Sequence, residues 1–215
     1  MTARRLAALA LALALPACAT ASYPQKDRLA PADAAALVDP DGAPADLPAL
    51  WRAHAATVLV FWASTCPCVR RYTDRVTALR DRYAPRGVAF AFVAANADDD
   101  LPTLAAARAD GRAVLPLYRD PGGRLAQTVG AVATPTAALV DPTGAVRFVG
   151  WIDNEHPPGD PDREPWLEDA LDALLAGASP RRATPVWGCT ITRSLGETPV
   201  CSSPEDLAPA FRCHE

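Results

Sequence analysis

The sequence predicts an α/β fold with a central mixed sheet, in which parallel strands are followed by a C-terminal antiparallel hairpin and helices cover both faces. Short, continuously apolar runs, which are typical of buried strands, alternate with longer segments of helical spacing. The last two strands are separated only by the turn sequence Asp141-Pro142-Thr143-Gly144. That turn is too short for a crossover connection, so it favours antiparallel pairing.

The individual elements follow from apolar spacing and from the residues that interrupt it. In the helix after the first strand, Val69, Tyr72 and Val76 recur on one side. The acidic run at 98–100 supplies an N-cap and first-turn charges to the next helix. In chain order we expect a helix at 46–54, a strand at 58–62, a helix at 67–84, a strand at 88–95, a helix to about 110, a strand at 114–118, a helix at 123–129, strands at 136–140 and 145–151, and a closing helix at 164–175.

The first 18 residues have the pattern of a secretory signal peptide. Arg4 and Arg5 precede an apolar run at 6–15, which is too short to span a bilayer. Two processing outcomes stay open. A lipobox-like ending would leave Cys18 as the lipid-modified first residue, whereas cleavage after Ala19 would release a soluble protein. Either outcome predicts export, in a bacterium to the periplasm.

The composition of the remaining residues indicates three segments, and the net charge argues against some classes of binding partner. A tether at 19–43 leads into the α/β domain at 44–177, and a cysteine-containing tail at 178–215 has little periodicity. We expect the tail to be ordered only where its cysteines hold it. The formal net charge of -4 gives no support for binding to nucleic acid or to an anionic bilayer, so membrane attachment would depend on the lipid.

Six cysteines in an exported chain indicate an oxidising compartment in which disulfides persist. Without Cys18 five remain, so at least one sulfur is unpaired in a fully intramolecular oxidised form, as expected of an active-site thiol. For Cys201 and Cys213 we expect a stapling role in a disulfide. The Cys213-His214 pair is not a covalent haem site, because the required upstream cysteine is missing.

The most informative segment places Cys66 and Cys68 where the first strand passes into a helix. A cysteine at a helix N-terminus lies beside unpaired backbone N–H groups and the positive end of the helix dipole, which favours thiolate over thiol. Thiolate is the nucleophile in disulfide exchange and in peroxide reduction. We therefore expect the Cys66 sulfur to be ionised, reachable from solvent and redox-active.

Three segments resemble the thioredoxin superfamily, in particular exported redoxin proteins of the alkyl-hydroperoxide-reductase/thiol-antioxidant type and bacterial thiol–disulfide oxidoreductases. They are FWASTCPC, GAVATPT and LVDPTG, in this order within residues 44–177. The resemblance implies a thioredoxin-like fold, with Cys66 as the nucleophile and Pro135 as a cis-proline facing it. It also implies that Thr134 pairs with an extended substrate segment and that Trp62 packs beside the site.

The spacing of the cysteines departs from the superfamily pattern. One residue instead of two separates Cys66 from Cys68, so Cys68 is rotated away from the resolving position and a disulfide between them would need distorted backbone. Cys189 in the tail is a second candidate for the resolving cysteine. Peroxide reduction is a variant of the hypothesis, weakened because Ala63 and Val60 stand where peroxiredoxins have Thr and Pro.

The resulting hypothesis is an exported, cofactor-free and metal-free thiol-dependent oxidoreductase. Its partners would be a protein or small-molecule disulfide or peroxide as substrate, and an upstream thiol reductant. One rival is a thioredoxin-fold copper chaperone in which Cys66 and Cys68 bind Cu(I), with His156 as the third ligand. The histidine that such chaperones carry just before the strand at 136 is missing here. A catalytically inactive binding module on the same fold is the other rival.

Overall fold

The computed structural model describes residues 26–156 and 159–202. The predicted signal peptide, the lipidation site Cys18 and Cys213 lie outside these residues. Among the helices of the described part of the chain, none is long and apolar enough to cross a membrane.

The elements follow in the predicted order, and each one expected between 46 and 175 is present, most with ends shifted by one to three residues. The elements are α1 Leu47–Ala53, β1 Ala56–Trp62, α2 Pro67–Tyr83, β2 Val88–Ala94, α3 Leu101–Ala109, β3 Leu117–Arg119, α4 Arg124–Val129, β4 Ala133–Thr134, β5 Thr136–Val140, β6 Val146–Gly150, α5 Trp166–Leu175, β7 Gly188–Thr190 and β8 Cys201–Ser202. The short strands β4, β7 and β8 were not predicted.

The main sheet has the mixed topology that the sequence predicts, with strand order β3-β2-β1-β5-β6. β1 is parallel to β2 and β2 to β3, whereas β5 is antiparallel to both β1 and β6. The register places Phe61, near the end of β1, opposite Thr136 at the start of β5. The loop that carries Cys66 and the segment that carries Pro135 therefore meet at one edge of the sheet.

Both faces of this sheet are covered, and for that reason β1 is buried along its whole length. On one face α2 and α5 contribute side chains such as Tyr72 and Leu167 to the apolar core. On the other face α1 and α4 contribute side chains such as Trp51 and Leu125. The helices lie on both faces, as predicted.

The residues before α1 differ from the expected tether. Leu29 and Leu37 are buried in the core cluster of the second sheet face. The Leu29 N–H donates to the Gly144 carbonyl at 2.8 Å, and Val38 exchanges backbone hydrogen bonds with Arg119. Residues 26–43 are packed on the domain because their few apolar side chains cover apolar surface of the sheet.

The tail strands β7 and β8 pair with β4 of the domain in a second, three-stranded sheet with the order β4-β7-β8. Trp187, just before β7, stacks on Trp166 of α5 with ring centroids 5.6 Å apart and meets Trp151 edge-on at 6.4 Å. The tail is thus held by backbone pairing and aromatic packing as well as by cysteines.

Candidate active site

Cys66 is the N-cap residue of α2, and Pro67 is the first helical residue. Proline suits this position because its φ is already helical and its missing N–H would have had no intrahelical partner. The predicted placement of Cys66 between a strand and a helix is confirmed.

The expectation that the Cys66 sulfur is reachable from solvent is wrong for this structure. Only 1% of the residue is exposed, because β7 of the tail lies over it. Cys66 Sγ lies 2.9 Å from Cys189 Sγ and donates to the Thr134 carbonyl at 3.3 Å. The cover over the thiol is therefore part of the same chain, 123 residues further along.

Cys189 is bonded to Cys201 in a disulfide. The two residues lie directly opposite each other in the β7–β8 pair, with Cα atoms 4.0 Å apart. Cys201 is in a stapling disulfide, as expected, and this disulfide joins two strands of the tail beside the site. Cys66 is the free cysteine among the described residues.

Cys68 is the second residue of α2 and is fully buried in the core. Cys68 is disulfide-bonded, whereas Cys66 is a free thiol. The two are therefore not bonded to each other, in agreement with the prediction that their one-residue separation disfavours such a disulfide. The sulfur atoms of Cys66, Cys68 and Cys189 nevertheless lie within 4.8 Å of one another. All three predicted catalytic cysteines are thus brought together.

Thr134 and Pro135 form the wall of the site opposite Cys66. The peptide bond between them is cis, as the resemblance implies. Thr134 pairs antiparallel with Cys189, and its hydroxyl donates to the Cys189 carbonyl at 3.4 Å. The position predicted for a substrate segment is occupied by the tail.

Trp62 ends β1 and is buried against Phe92, with ring centroids 6.0 Å apart. It lines a hollow together with Val69 and Thr73. Cys189 and Cys201 line a different groove, so substrate contact by Trp62 stays a prediction.

That groove has a volume of about 470 Å³ and contains a buried acid that sequence reasoning assigned to helix capping. Asp100 is the N-cap of α3, whereas Asp99 accepts a hydrogen bond from the Ser64 N–H at 3.1 Å. Burial raises the pKa of the Asp99 carboxyl above its ordinary value, although the Ser64 hydrogen bonds oppose the rise. Capping α3 requires only Asp100. The two further acids before it were therefore the sequence signal that one of them, Asp99, binds the loop before Cys66 instead.

The family model of redoxin matches residues 24–165. The chain belongs to the redoxin family. It is a thiol-dependent oxidoreductase with a thioredoxin-like fold, as the sequence resemblance predicts.

Solved structures agree on the fold. A hypothetical protein from Sinorhizobium meliloti is 25% identical, with a TM-score of 0.61, over 74% of this chain and 91% of that one. An uncharacterized conserved protein from Geobacillus kaustophilus is 24% identical, with a TM-score of 0.65, over 81% of this chain and 95% of that one. No curated protein matches the sequence.

Proposed function

We propose that the protein is an exported thiol–disulfide oxidoreductase in which Cys66 is the nucleophile and Cys189 is the resolving cysteine. The observation that carries this proposal is the 2.9 Å approach of the two sulfur atoms beside Pro135. Cys68 is the other candidate for the resolving step, since its sulfur lies in the same cluster. The signal-like residues 1–18 support export, and Cys18 would supply a lipid anchor.

The reaction begins from the form in which the site cysteines are thiols. The Cys66 thiolate attacks one sulfur of a substrate disulfide, and the other sulfur leaves as a thiolate with the electron pair of the broken bond. The Cys189 thiolate then attacks Cys66 Sγ in the mixed disulfide. The second substrate sulfur leaves as a thiolate, and a Cys66–Cys189 disulfide remains for an upstream dithiol to reduce.

A protein disulfide in an extended segment is the substrate that the site fits best. When β7 leaves β4, the backbone of Thr134 offers the pairing edge of a strand, which an extended substrate segment can join in its place. A peroxide is the variant substrate. The Cys66 thiolate would attack the peroxide oxygen, an alcohol or water would leave, and the resulting sulfenic acid would condense with the Cys189 thiol with loss of water.

Insulin reduction by the exported chain tests the proposal, with Cys66→Ser, Cys189→Ser, Cys68→Ser and the exposed tail variant Ser194→Ala as a matched control. Cys66→Ser should lose activity to background, because no attacking thiolate remains. Cys189→Ser should accumulate the mixed disulfide, whereas Cys68→Ser should not. Full activity of Cys66→Ser would contradict the proposal. If the mixed disulfide accumulated in Cys68→Ser and not in Cys189→Ser, Cys68 would be the resolving cysteine.

The cluster of three sulfurs also favours a second candidate, Cu(I) binding after reduction of the disulfides. Cys189, not the predicted His156, is the third potential ligand, because His156 contacts Asp160 at 3.3 Å and lies outside the cluster. Competitive titration of the reduced chain with Cu(I) distinguishes the two functions. Tight binding that requires Cys66 and Cys68, without insulin or peroxide turnover, would favour the chaperone.

A further inference from the structure

The tail strand β7 has the position and pairing of a bound disulfide substrate. It is antiparallel to β4, with Cys189 opposite Thr134 immediately before the cis-proline. The disulfide that it carries faces the Cys66 sulfur at 2.9 Å. The backbone edge, the nucleophile and a disulfide are thus arranged as in the first step of thiol–disulfide exchange, within one chain.

Contacts of the residues that follow Cys189 show that this position is specified by the sequence. After it, the Ile191 N–H donates to the Val132 carbonyl at 2.9 Å, and the Thr192 N–H donates to the buried Asn96 side chain at 2.9 Å. The Gly196 N–H donates to Asp98 at 3.0 Å. The tail is therefore held against the domain at points between Cys189 and Gly196.

Gly188 makes the closest approach of the tail to the site. A Cβ at this position would lie 2.2 Å from the Thr134 carbonyl oxygen and 2.5 Å from the Trp151 ring. Its φ of +91° is also a conformation that glycine adopts most readily. Only a residue without a side chain lets β7 reach the active-site wall.

Of the two sulfurs in the tail disulfide, that of Cys201 is farther from Cys66 and is the more accessible. Cys201 is half-buried at the edge of the groove, whereas Cys66 and Cys189 are each only 1% exposed. An external thiol therefore meets Cys201 before it meets either of the others.

We propose that Cys201 is a third redox-active cysteine, to which the disulfide is transferred from Cys66 through Cys189. The inference rests on the proposed function and extends it. The Cys201 thiolate attacks Cys189 Sγ in the Cys66–Cys189 disulfide, the new bond is Cys189–Cys201, and Cys66 leaves as a thiolate with the electron pair of the broken bond. No external oxidant is needed, and the product is the pairing seen in the structure. An upstream dithiol then reduces the tail disulfide at Cys201.

Disulfide mapping after one turnover tests this transfer. The fully reduced chain is mixed with excess insulin, quenched in acid, alkylated and digested with trypsin. Cleavage after Arg182, Arg193 and Arg212 places Cys189 and Cys201 in separate peptides, and fragmentation of the 53–70 peptide assigns its linked sulfur to Cys66 or Cys68. Wild type and Ser194→Ala should yield the Cys189–Cys201 linkage. Cys201→Ser should stop at Cys66–Cys189, and Cys66→Ser should form Cys189–Cys201 at least about tenfold more slowly.

Insulin reduction is measured in the same samples, so that the two proposals fail separately. A wild-type chain that reduces insulin but retains the Cys66–Cys189 linkage would overturn the transfer to Cys201 and leave the proposed function intact. Equal rates of Cys189–Cys201 formation in wild type and Cys66→Ser would also overturn it. A wild-type chain that reduces no insulin would overturn the proposed function itself, and the transfer with it.

Discussion

Cys66 and Asp153 are both buried polar groups, but different parts of the chain bury them. Asp153 is fully buried and accepts hydrogen bonds from Arg75 at 2.8 and 2.9 Å, from Arg163 at 3.0 Å and from the Tyr72 hydroxyl. Its partners stand on α2 and on the segment before α5, which form one face of the core. Cys66 is covered by a three-residue strand of the tail.

Equal burial has opposite mechanical consequences at these two residues. Exposing Asp153 would break at once its contacts with α2 and with the segment before α5, and both α2 and α5 belong to the main core. Exposing Cys66 requires that β7 leave β4 and that the neighbouring tail contacts to Val132 and Asn96 break, while α2 and α5 stay packed. The carboxylate cluster is therefore structural, whereas the thiol lies under a cover that can be removed locally.

The largest effect is expected at Asp153. Asp153→Ala leaves two arginines and the Tyr72 hydroxyl without their shared acceptor, so it should lower the free energy of unfolding by about 3–5 kcal/mol. Urea denaturation measures the change, with the exposed Asp74→Ala of α2 as the control. A loss below about 1 kcal/mol would show that the cluster is not structural.

A smaller, pH-dependent effect is expected at the neighbouring Glu155. Burial raises the pKa of this carboxyl to about 7 from 4.5; Asp153 adds to the rise, while Arg71 and Arg75 oppose it. A raised folded-state pKa stabilises the protein below about pH 4.5, and the contribution is lost as the pH rises through about 7.

Glu155→Gln should therefore flatten the fall in unfolding free energy between pH 5 and pH 8 by on the order of 2 kcal/mol. Chemical denaturation of wild type and variant at several pH values measures the difference. Parallel profiles would mean that the Glu155 pKa is the same in the folded and unfolded chains.

The most local effect is expected at Gly188. Gly188→Ala and Gly196→Ala both place alanine at a positive φ, at a cost of about 1 kcal/mol each. Only the former drives a Cβ into the Thr134 carbonyl, since nothing lies within 4 Å at position 196. Gly188→Ala should therefore detach β7 and speed alkylation of Cys66 at least about tenfold, whereas Gly196→Ala should not. Equal rates would show that β7 does not control access.

The sequence predicted the parts of the molecule that depend on local pattern. The apolar run of β1, the helical spacing of α2 and the Thr-Pro pair are each visible in short windows. The pairing of Cys189 with Cys201 was not predictable, because spacing alone does not determine disulfide connectivity. β7 was missed because three residues are too few for a period. The Asp153 cluster joins residues about 80 positions apart, so no local pattern reveals it.

The most direct test of whether the tail covers an active thiol is the alkylation rate of Cys66 in the intact chain, measured by peptide mapping with the tail disulfide oxidised and after its reduction. We predict slow labelling while Cys189 and Cys201 are bonded, and labelling at least about tenfold faster once reduction breaks the β7–β8 link that helps to hold β7 over Cys66. An unchanged rate would contradict the claim that the tail covers an active thiol.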